Sequence, residues 1–280
     1  MAQKIVIPET ELRRLYELEK LTQRQIGKLF GCGSSPVGDR MREFGIKART
    51  NAQAVAHSKV HAAERHPFTE GEFERGYLCG FCKGDTHVSL TGPGSETIVV
   101  RSGSTRPEQV VLFRQVFEPY SHIWESKPDT RGAVNQAAFL DSVSFAWLLD
   151  RDDHIAEHVV VSPQAMLGYL TGYTDAEGHI GVYERVVFSL ESCDKNILKQ
   201  LHEFIQAQGI ECPPPRITKA RGSPRSDRGT FARDYWCLAV HRVSSLTKLL
   251  QSLEPHLRHA KRRRDLTLAL ARLAKTERKL

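Results

Sequence analysis

A ten-residue segment occurs twice in this chain, 92 positions apart. "GYLCGFCKGD" at 76–85 lies over "GYLTGYTDAE" at 168–177. Gly76 meets Gly168, Tyr77 meets Tyr169, Leu78 meets Leu170, Gly80 meets Gly172, Phe81 meets Tyr173, Gly84 meets Ala176 and Asp85 meets Glu177. On a helix, residues four apart share one face. Gly76, Gly80 and Gly84 therefore form a smooth stripe, as do Gly168, Gly172 and Ala176. Each glycine weakens a helix by about 1 kcal/mol relative to alanine, so a stripe of them calls for another backbone in very close approach. The simplest partner for each stripe is the other one. Such packing brings the two helix ends together and sets Asp85 beside Glu177.

Two carboxylates held together repel, and their pKa values rise. A divalent cation removes the conflict, and Mg²⁺ prefers hard oxygen ligands of this kind. Paired carboxylates around a metal suit phosphodiester hydrolysis, in which water must be activated and charge on oxygen stabilised. The alternative is a pair of ordinary acids closing two helices in a repeat kept for folding. The helix dipole disfavours acids at that end, so two at equivalent places need a reason.

The two copies resemble the nonapeptide of the LAGLIDADG family. "LCGFCKGDT" spans 78–86 and "LTGYTDAEG" spans 170–178, and both keep the acid at the eighth place. The first copy departs from the family pattern at Lys83, where an acid is usual, and at Thr86, where glycine is usual. The resemblance implies an α+β fold of two pseudo-symmetric αββαββα half-domains with saddle-shaped antiparallel sheets, and a homing endonuclease that cuts both strands of a long DNA site. It implies Asp85 and Glu177 as catalytic metal ligands, the carbonyls of Gly84 and Ala176 completing the coordination, and Mg²⁺ as cofactor with Mn²⁺ able to substitute. It also implies a basic residue near the scissile phosphates. Lys261 is the choice in "LEPHLRHAKRRRD" (253–265), with Arg258 or Arg262 as substitutes.

The residues between and after the motifs fit that half-domain. "HVSL" and "TIVVRS" read as strands, "RPEQVVLFRQVFEPY" (106–120) as a helix, "SHIWESK" and "AVNQAAFL" as the next strands, and "SVSFAWLLD" as a short helix. "HIGVYE", "RVVFSLES", the helix "DKNILKQLHEFIQAQG", "PRITKA", "FARDYWCLAVHR" and a helix from Ser244 repeat the order. The half-domains are expected at 74–150 and 163–280, with a linker at 151–162. In this family the strands sit in the major groove. The DNA-facing candidates are Arg101, Lys127 and Arg131 in the first half, and Arg216, Lys219, Arg221, Arg225, Arg228 and Arg233 in the second. Each of these is equally well read as a solvated surface cation.

Residues 1–50 form a separate helical unit. Glu9 to Lys20 is amphipathic, Thr22 and Gln25 have capping-box spacing, and Gly31-Cys32-Gly33 separates that helix from the next, which begins at Ser34. The pattern resembles a helix-turn-helix, in which the second helix enters the major groove by its first residues, here Ser34, Ser35, Asp39 and Arg40. A helical hairpin without a ligand is the plainer reading. A basic linker, partly helical through "AQAVAHSKVHAAERH", follows at 51–73.

Composition narrows the partners. The net charge is +7, and residues 256–280 alone carry nine Lys/Arg against two acids, a balance that suits a phosphate backbone. Double-stranded DNA is the expected partner, with intron RNA a further one for a maturase, and a monomer suffices because both halves lie in one chain. No apolar run is long enough for a membrane helix and no signal peptide is evident, so the expected place is the cytosol, at the nucleoid or in an organelle. The six cysteines, including the CxxC of Cys79 and Cys82, read as reduced, packed thiols rather than a zinc site. A non-cleaving DNA-binding regulator and a maturase are the rival functions.

Overall fold

The computed structural model describes residues 6–49, 65–92, 94–225 and 229–277. The N-terminal unit has three helices. α1 (Glu9–Arg13) runs on into a π-helical turn (Arg14–Leu18), followed by α2 (Gln23–Leu29) and α3 (Ser34–Glu43). Thr22 and Gln25 close the expected capping box on α2. The turn between α2 and α3 depends on two glycines. Gly31 has φ +68°, and a Cβ on Gly27 would lie 2.6 Å from the Cys32 carbonyl oxygen. Leu12, Leu15, Tyr16, Ile26, Val37, Met41 and Ile46 fill a core of this unit's own.

The rest of the chain repeats one arrangement. The first half has α4 (Glu72–Lys83), β1 (His87–Leu90), β2 (Thr97–Ser104), α5 (Pro107–Phe117), β3 (Ile123–Glu125), β4 (Val134–Asp141) and a short α6 (Ser142–Phe145) that tightens into a 3₁₀ turn. The second has α7 (Glu157–Val160), α8 (Pro163–Glu177), β5 (Gly178–Val182), β6 (Val186–Ser192), α9 (Lys195–Ala207), β7 (Arg216–Lys219), β8 (Tyr235–Val240), α10 (Val243–Leu253) and α11 (Ala260–Glu277). Both sheets are antiparallel, in the orders β1-β2-β4-β3 and β5-β6-β8-β7. The fold is α+β, two αββαββα halves of like topology. Among the described residues no helix is long and apolar enough to cross a membrane.

Period-two patterning decides which sheet face is covered. Val88, Ile98, Val100, Ala138 and Leu140 turn inward against Leu112, Phe113, Val116 and Phe117 of α5. In the second half Ile180, Phe188, Leu190, Leu238 and Val240 meet Ile197, Leu198, Leu201 and Ile205 of α9. The opposite faces stay open, and cross-strand pairing lines up His87, Arg101, Ala137 and Trp124 in one row across the first sheet.

The halves meet through α4 and α8, and the glycine stripes are the reason. A Cβ on Gly76 would lie 1.9 Å from the Ala165 carbonyl oxygen, one on Gly80 2.2 Å from that of Tyr169, and one on Gly172 2.1 Å from that of Tyr77. No side chain fits at such distances, so the helices touch backbone to backbone and run in the same direction. Ser162 ties their N-terminal ends, capping α8 through the Ala165 amide and donating its hydroxyl to Glu72 at 2.6 Å.

Both expected linkers differ from the observed chain. Residues 65–71 belong to the first half. The His66 amide donates to the Tyr120 carbonyl, and Phe68 packs against Tyr120, Phe145 and Trp147. The expected helix through "AQAVAHSKVHAAERH" lies almost wholly outside the described residues. Residues 151–162 are likewise built in. Arg151 donates to the Cys82 and Thr86 carbonyls, while Ile155 and Val159 are buried in the second core.

Candidate active site

α4 ends at Lys83, Gly84 is its cap, and Asp85 follows; Glu177 is the last residue of α8. The two helix ends are so close that a Cβ on Gly84 would lie 2.5 Å from the Ala176 Cβ and 2.9 Å from the Glu177 Cγ. The acids therefore stand side by side, each open to solvent on its outer side and flanked by protein on the others. Partial burial pushes the Glu177 carboxyl up to about 7, helped by the negative charge of Asp85 and opposed by Arg262. Burial also raises Asp85, against Arg262 and Arg106. The Gln109 side-chain amide donates to Asp85 Oδ2 at 3.1 Å.

The basic residue that reaches this place is Arg262. Its Nε donates to the Asp175 carbonyl at 2.9 Å and its Nη2 to the Ala176 carbonyl at 2.7 Å. Lys261, the expected choice, faces another way and donates to Asp265 at 2.5 Å, one turn along the same helix. Arg258 is used between the halves, paired with Glu74 and stacked 3.8 Å over the Tyr77 ring.

What fixes the phase of α11 is Asp175, fully buried at the sixth place of the second motif. Its carboxylate accepts the Tyr77 hydroxyl at 2.8 Å and the backbone amides of Arg258 at 2.8 Å and His259 at 3.2 Å. One buried acid thus joins a tyrosine from the other half to the start of the helix that carries Arg262. Lys83 stands at the equivalent place in the first motif and donates to the Asp152 carbonyl. Thr86 replaces the usual glycine and donates to the Cys82 carbonyl at 2.8 Å, closing the end of α4.

Two clefts open at Asp85. One, of about 830 Å³, runs over the open face of the first sheet along His87, Arg101, Trp124, Asn135 and Phe139. The other, of about 470 Å³, is bounded by Ser104, Arg106, Gln109, Arg131 and Arg262. Of the residues expected to face DNA, Arg101 lines the first cleft and Arg131 the second. Lys127 is exposed in the β3–β4 loop. Arg216, Arg221, Arg225 and Arg233 are exposed at the outer edge of the second sheet, while Lys219 pairs with Glu191 at 2.9 Å. Arg228 lies outside the described residues.

On α3, Ser34, Ser35 and Asp39 are exposed. Arg40 is not the outward arginine it was expected to be. Its side chain is 16% exposed and paired with Glu43, whereas Arg42, two residues on and on the opposite face, is 81% exposed and paired with Asp39. The CxxC thiols are packed, and burial pushes Cys82 up to about 12 and raises Cys79 too.

Sequence reasoning missed four groups at the site: Arg106, Gln109, the structural acid Asp175 and His87. Two of them had left a trace, since Asp175 stands in the second motif copy where an acid is usual, and His87 and His179 obey the same 92-residue offset two places after each motif acid.

No protein-family model matches the chain, and no curated protein sequence matches it. Solved structures of similar shape include the homing endonuclease I-DmoI in complex with DNA and Mn, at 12% identity over 66% of this chain and 99% of that one, with a TM-score of 0.46. The homing endonuclease I-WcaI bound to its DNA recognition sequence is 12% identical over 68% and 84%, with a TM-score of 0.41. Full-length DUF199/WhiA from Thermatoga maritima is 14% identical over 77% and 63%, with a TM-score of 0.46.

Proposed function

We propose that the chain is a divalent-metal-dependent endonuclease that cuts both strands of a long DNA site. The observation that carries this reading is the placement of Asp85 and Glu177, one from each half, at the touching ends of two glycine-packed helices. A carboxylate pair raised by burial, Glu177 further by the charge of Asp85, is a site that gains from a hard cation. Asp85 and Glu177 would hold Mg²⁺ or Mn²⁺ through carboxylate oxygens, with the Gly84 carbonyl as a further donor and the Ala176 carbonyl, which accepts from Arg262 Nη2, as one the ion would share with that guanidinium. When bound, the ion lowers the pKa of water and stabilises charge on the phosphate oxygens.

The chain's own groups supply the rest. The Gln109 amide orients the Asp85 carboxylate, and Arg262 brings positive charge to the same few ångströms. The open sheet faces, with Arg101 and Trp124 on one and Arg216 on the edge of the other, track the duplex, and Arg221, Arg225 and Arg233 meet backbone phosphates. The N-terminal helices act as a tethered second DNA contact, read through Ser34, Ser35, Asp39 and Arg42.

The test is incubation with a plasmid library of randomised inserts in Mg²⁺ or Mn²⁺, followed by recovery of linearised molecules. Linear product with a common sequence at its ends, absent with Asp85→Asn, supports the reading. Bound but uncut DNA under all metal conditions would instead favour a regulator.

A further inference from the structure

The two halves match in topology, and the match extends beyond the sheets to their helices. Strand pairing sets His87 opposite Arg101 and His179 opposite Ser189. Counting on brings Arg106 level with Asp194, each the residue immediately before its helix, α5 or α9. The same count sets Tyr120, just past α5, level with Gln208, just past α9. The repeat sets Arg75 of α4 level with Leu167 of α8. Trp147 is sixth after Asp141, which caps α6, and Lys248 is sixth after Arg242, which caps α10.

In the first half these three places surround one side chain. The Phe68 ring lies 6.1 Å from that of Tyr120 and 5.4 Å from that of Trp147, and the Arg75 guanidinium stands 5.4 Å from its centre. The segment that carries it is neither helix nor strand and is tied down by its backbone. The His66 amide donates to the Tyr120 carbonyl, and the Phe68 amide donates to the Ser144 hydroxyl.

In the second half the same three places, Leu167, Gln208 and Lys248, line an open cavity of about 290 Å³. Leu170, Phe204 and Leu249 add apolar wall. The segment that would fill it goes elsewhere. Counted by the repeat, Val160 stands where Phe68 does, but this stretch forms the short helix α7, whose His158 ring faces Trp147 of the first half at 6.4 Å. Val160 and Val161 are left exposed just before Pro163, which lines the cavity. A hollow of this kind gains by taking an apolar group out of water. Charge narrows the occupant further. Lys248 is exposed, donates to the Gln208 carbonyl at 2.6 Å, and has no acid paired with it among the described residues. The segment that fills the first socket carries acids too, Glu70 and Glu72, two and four residues after Phe68.

We propose that this cavity is the docking site for an acidic segment of a partner protein, which seats one aromatic side chain there as Phe68 is seated in the first half. The ring enters between Leu167, Phe204 and Leu249, and a nearby carboxylate of the same segment meets Lys248. The cavity uses α8 from Pro163 to Leu170, whereas Glu177 is at the other end of that helix, so a docked segment leaves the acid pair open. The inference stands apart from the nuclease reading.

The experiment uses the full chain and a dye-labelled synthetic peptide copying residues 66–72, HPFTEGE, followed by fluorescence anisotropy. Saturable binding is expected at concentrations up to about 1 mM. Alanine in place of the peptide's phenylalanine should weaken it at least about tenfold, as for an anchor residue. Lys248→Glu in the protein should also weaken it about tenfold, by reversing the charge at the mouth. Ser252→Trp, which puts a ring into the cavity from its own wall, should block the peptide. Both positions are outside the core, and an unchanged melting temperature checks that each variant folds. No saturable binding, or binding indifferent to both variants, would overturn the proposal. So would 3-phenylpropanoate binding as tightly as the peptide, which would make this a site for a small aryl acid. A concentration-dependent dimer abolished by Ser252→Trp would overturn it in favour of a second copy of this chain.

Discussion

Asp85→Asn and Glu177→Gln are each expected to abolish double-strand cutting while leaving specific binding within about 1–2 kcal/mol of the parent, since they remove metal ligands rather than DNA contacts. Cleavage and gel-shift assays on one duplex check this, and normal cutting by either variant would reassign that acid. Arg262→Ala should slow both strands, because its guanidinium faces both acids, whereas Lys261→Ala should change the rate little, its ammonium being engaged with Asp265. His259 gives a stability prediction. Burial holds its imidazole down near 4, from an ordinary 6.5. The unfolded chain therefore takes up a proton between pH 6.5 and 4 that the folded one does not. The stability contributed by the neutral ring is fully present above 6.5 and is lost as pH falls through that window, on the order of 2–3 kcal/mol. Denaturant melts of His259→Leu should show a flatter profile over the same range, and an identical slope would exclude His259 as its source.

At the scale of elements, the contact between α4 and α8 is the most constrained surface among the described residues. Gly80→Ala adds about 1 kcal/mol of helix propensity but places a methyl 2.2 Å from the Tyr169 carbonyl oxygen, so the helices must separate. A net loss of about 3 kcal/mol or more is expected in urea melts, larger still for Gly80→Leu and Gly172→Leu. Gly33→Ala is the matched control. A Cβ there meets nothing within 4 Å and its φ is ordinary, so the melt should barely move. These glycines were legible because the repeat exposes them. Gln109 was not legible. A glutamine on the buried face of an amphipathic helix reads as an imperfection in the pattern until Asp85 is seen to need a donor there. The basic run at 261–264 was equally opaque. Successive residues on a helix point about 100° apart, and only the Asp175 cap and the burial of Leu266, Ala269 and Leu273 select Arg262 as the one facing the acids.

For the whole molecule, the N-terminal helices have a core of their own, and the acids, the stripes and both sheets lie beyond residue 71. Deleting residues 1–50 should therefore leave metal-dependent cutting detectable, while apparent affinity falls by about 10²-fold through loss of effective concentration, with a shorter footprint. Arg42→Ala should reproduce part of that loss. Footprinting of the full-length and truncated proteins on one duplex decides it, and an unchanged footprint would remove these helices from the DNA.

The sequence by itself determined the architecture. A ten-residue repeat with glycines on one helical face can be satisfied most simply by its own copy, and period-two strands follow each copy, so the paired acids and the two sheets could be inferred before any coordinates. Tertiary structure decided everything that depends on one half touching the other. Residues 65–71 and 151–162, polar enough to read as tethers, are fastened by Phe68, Ile155 and Val159 to cores that are distant in sequence. Arg106 and Asp194 look like unrelated surface charges until strand register makes them equivalents on either side of the acid pair. The physical reason is that local pattern specifies which face a residue takes, whereas the partner waiting at that face is supplied by packing across tens of residues of intervening chain.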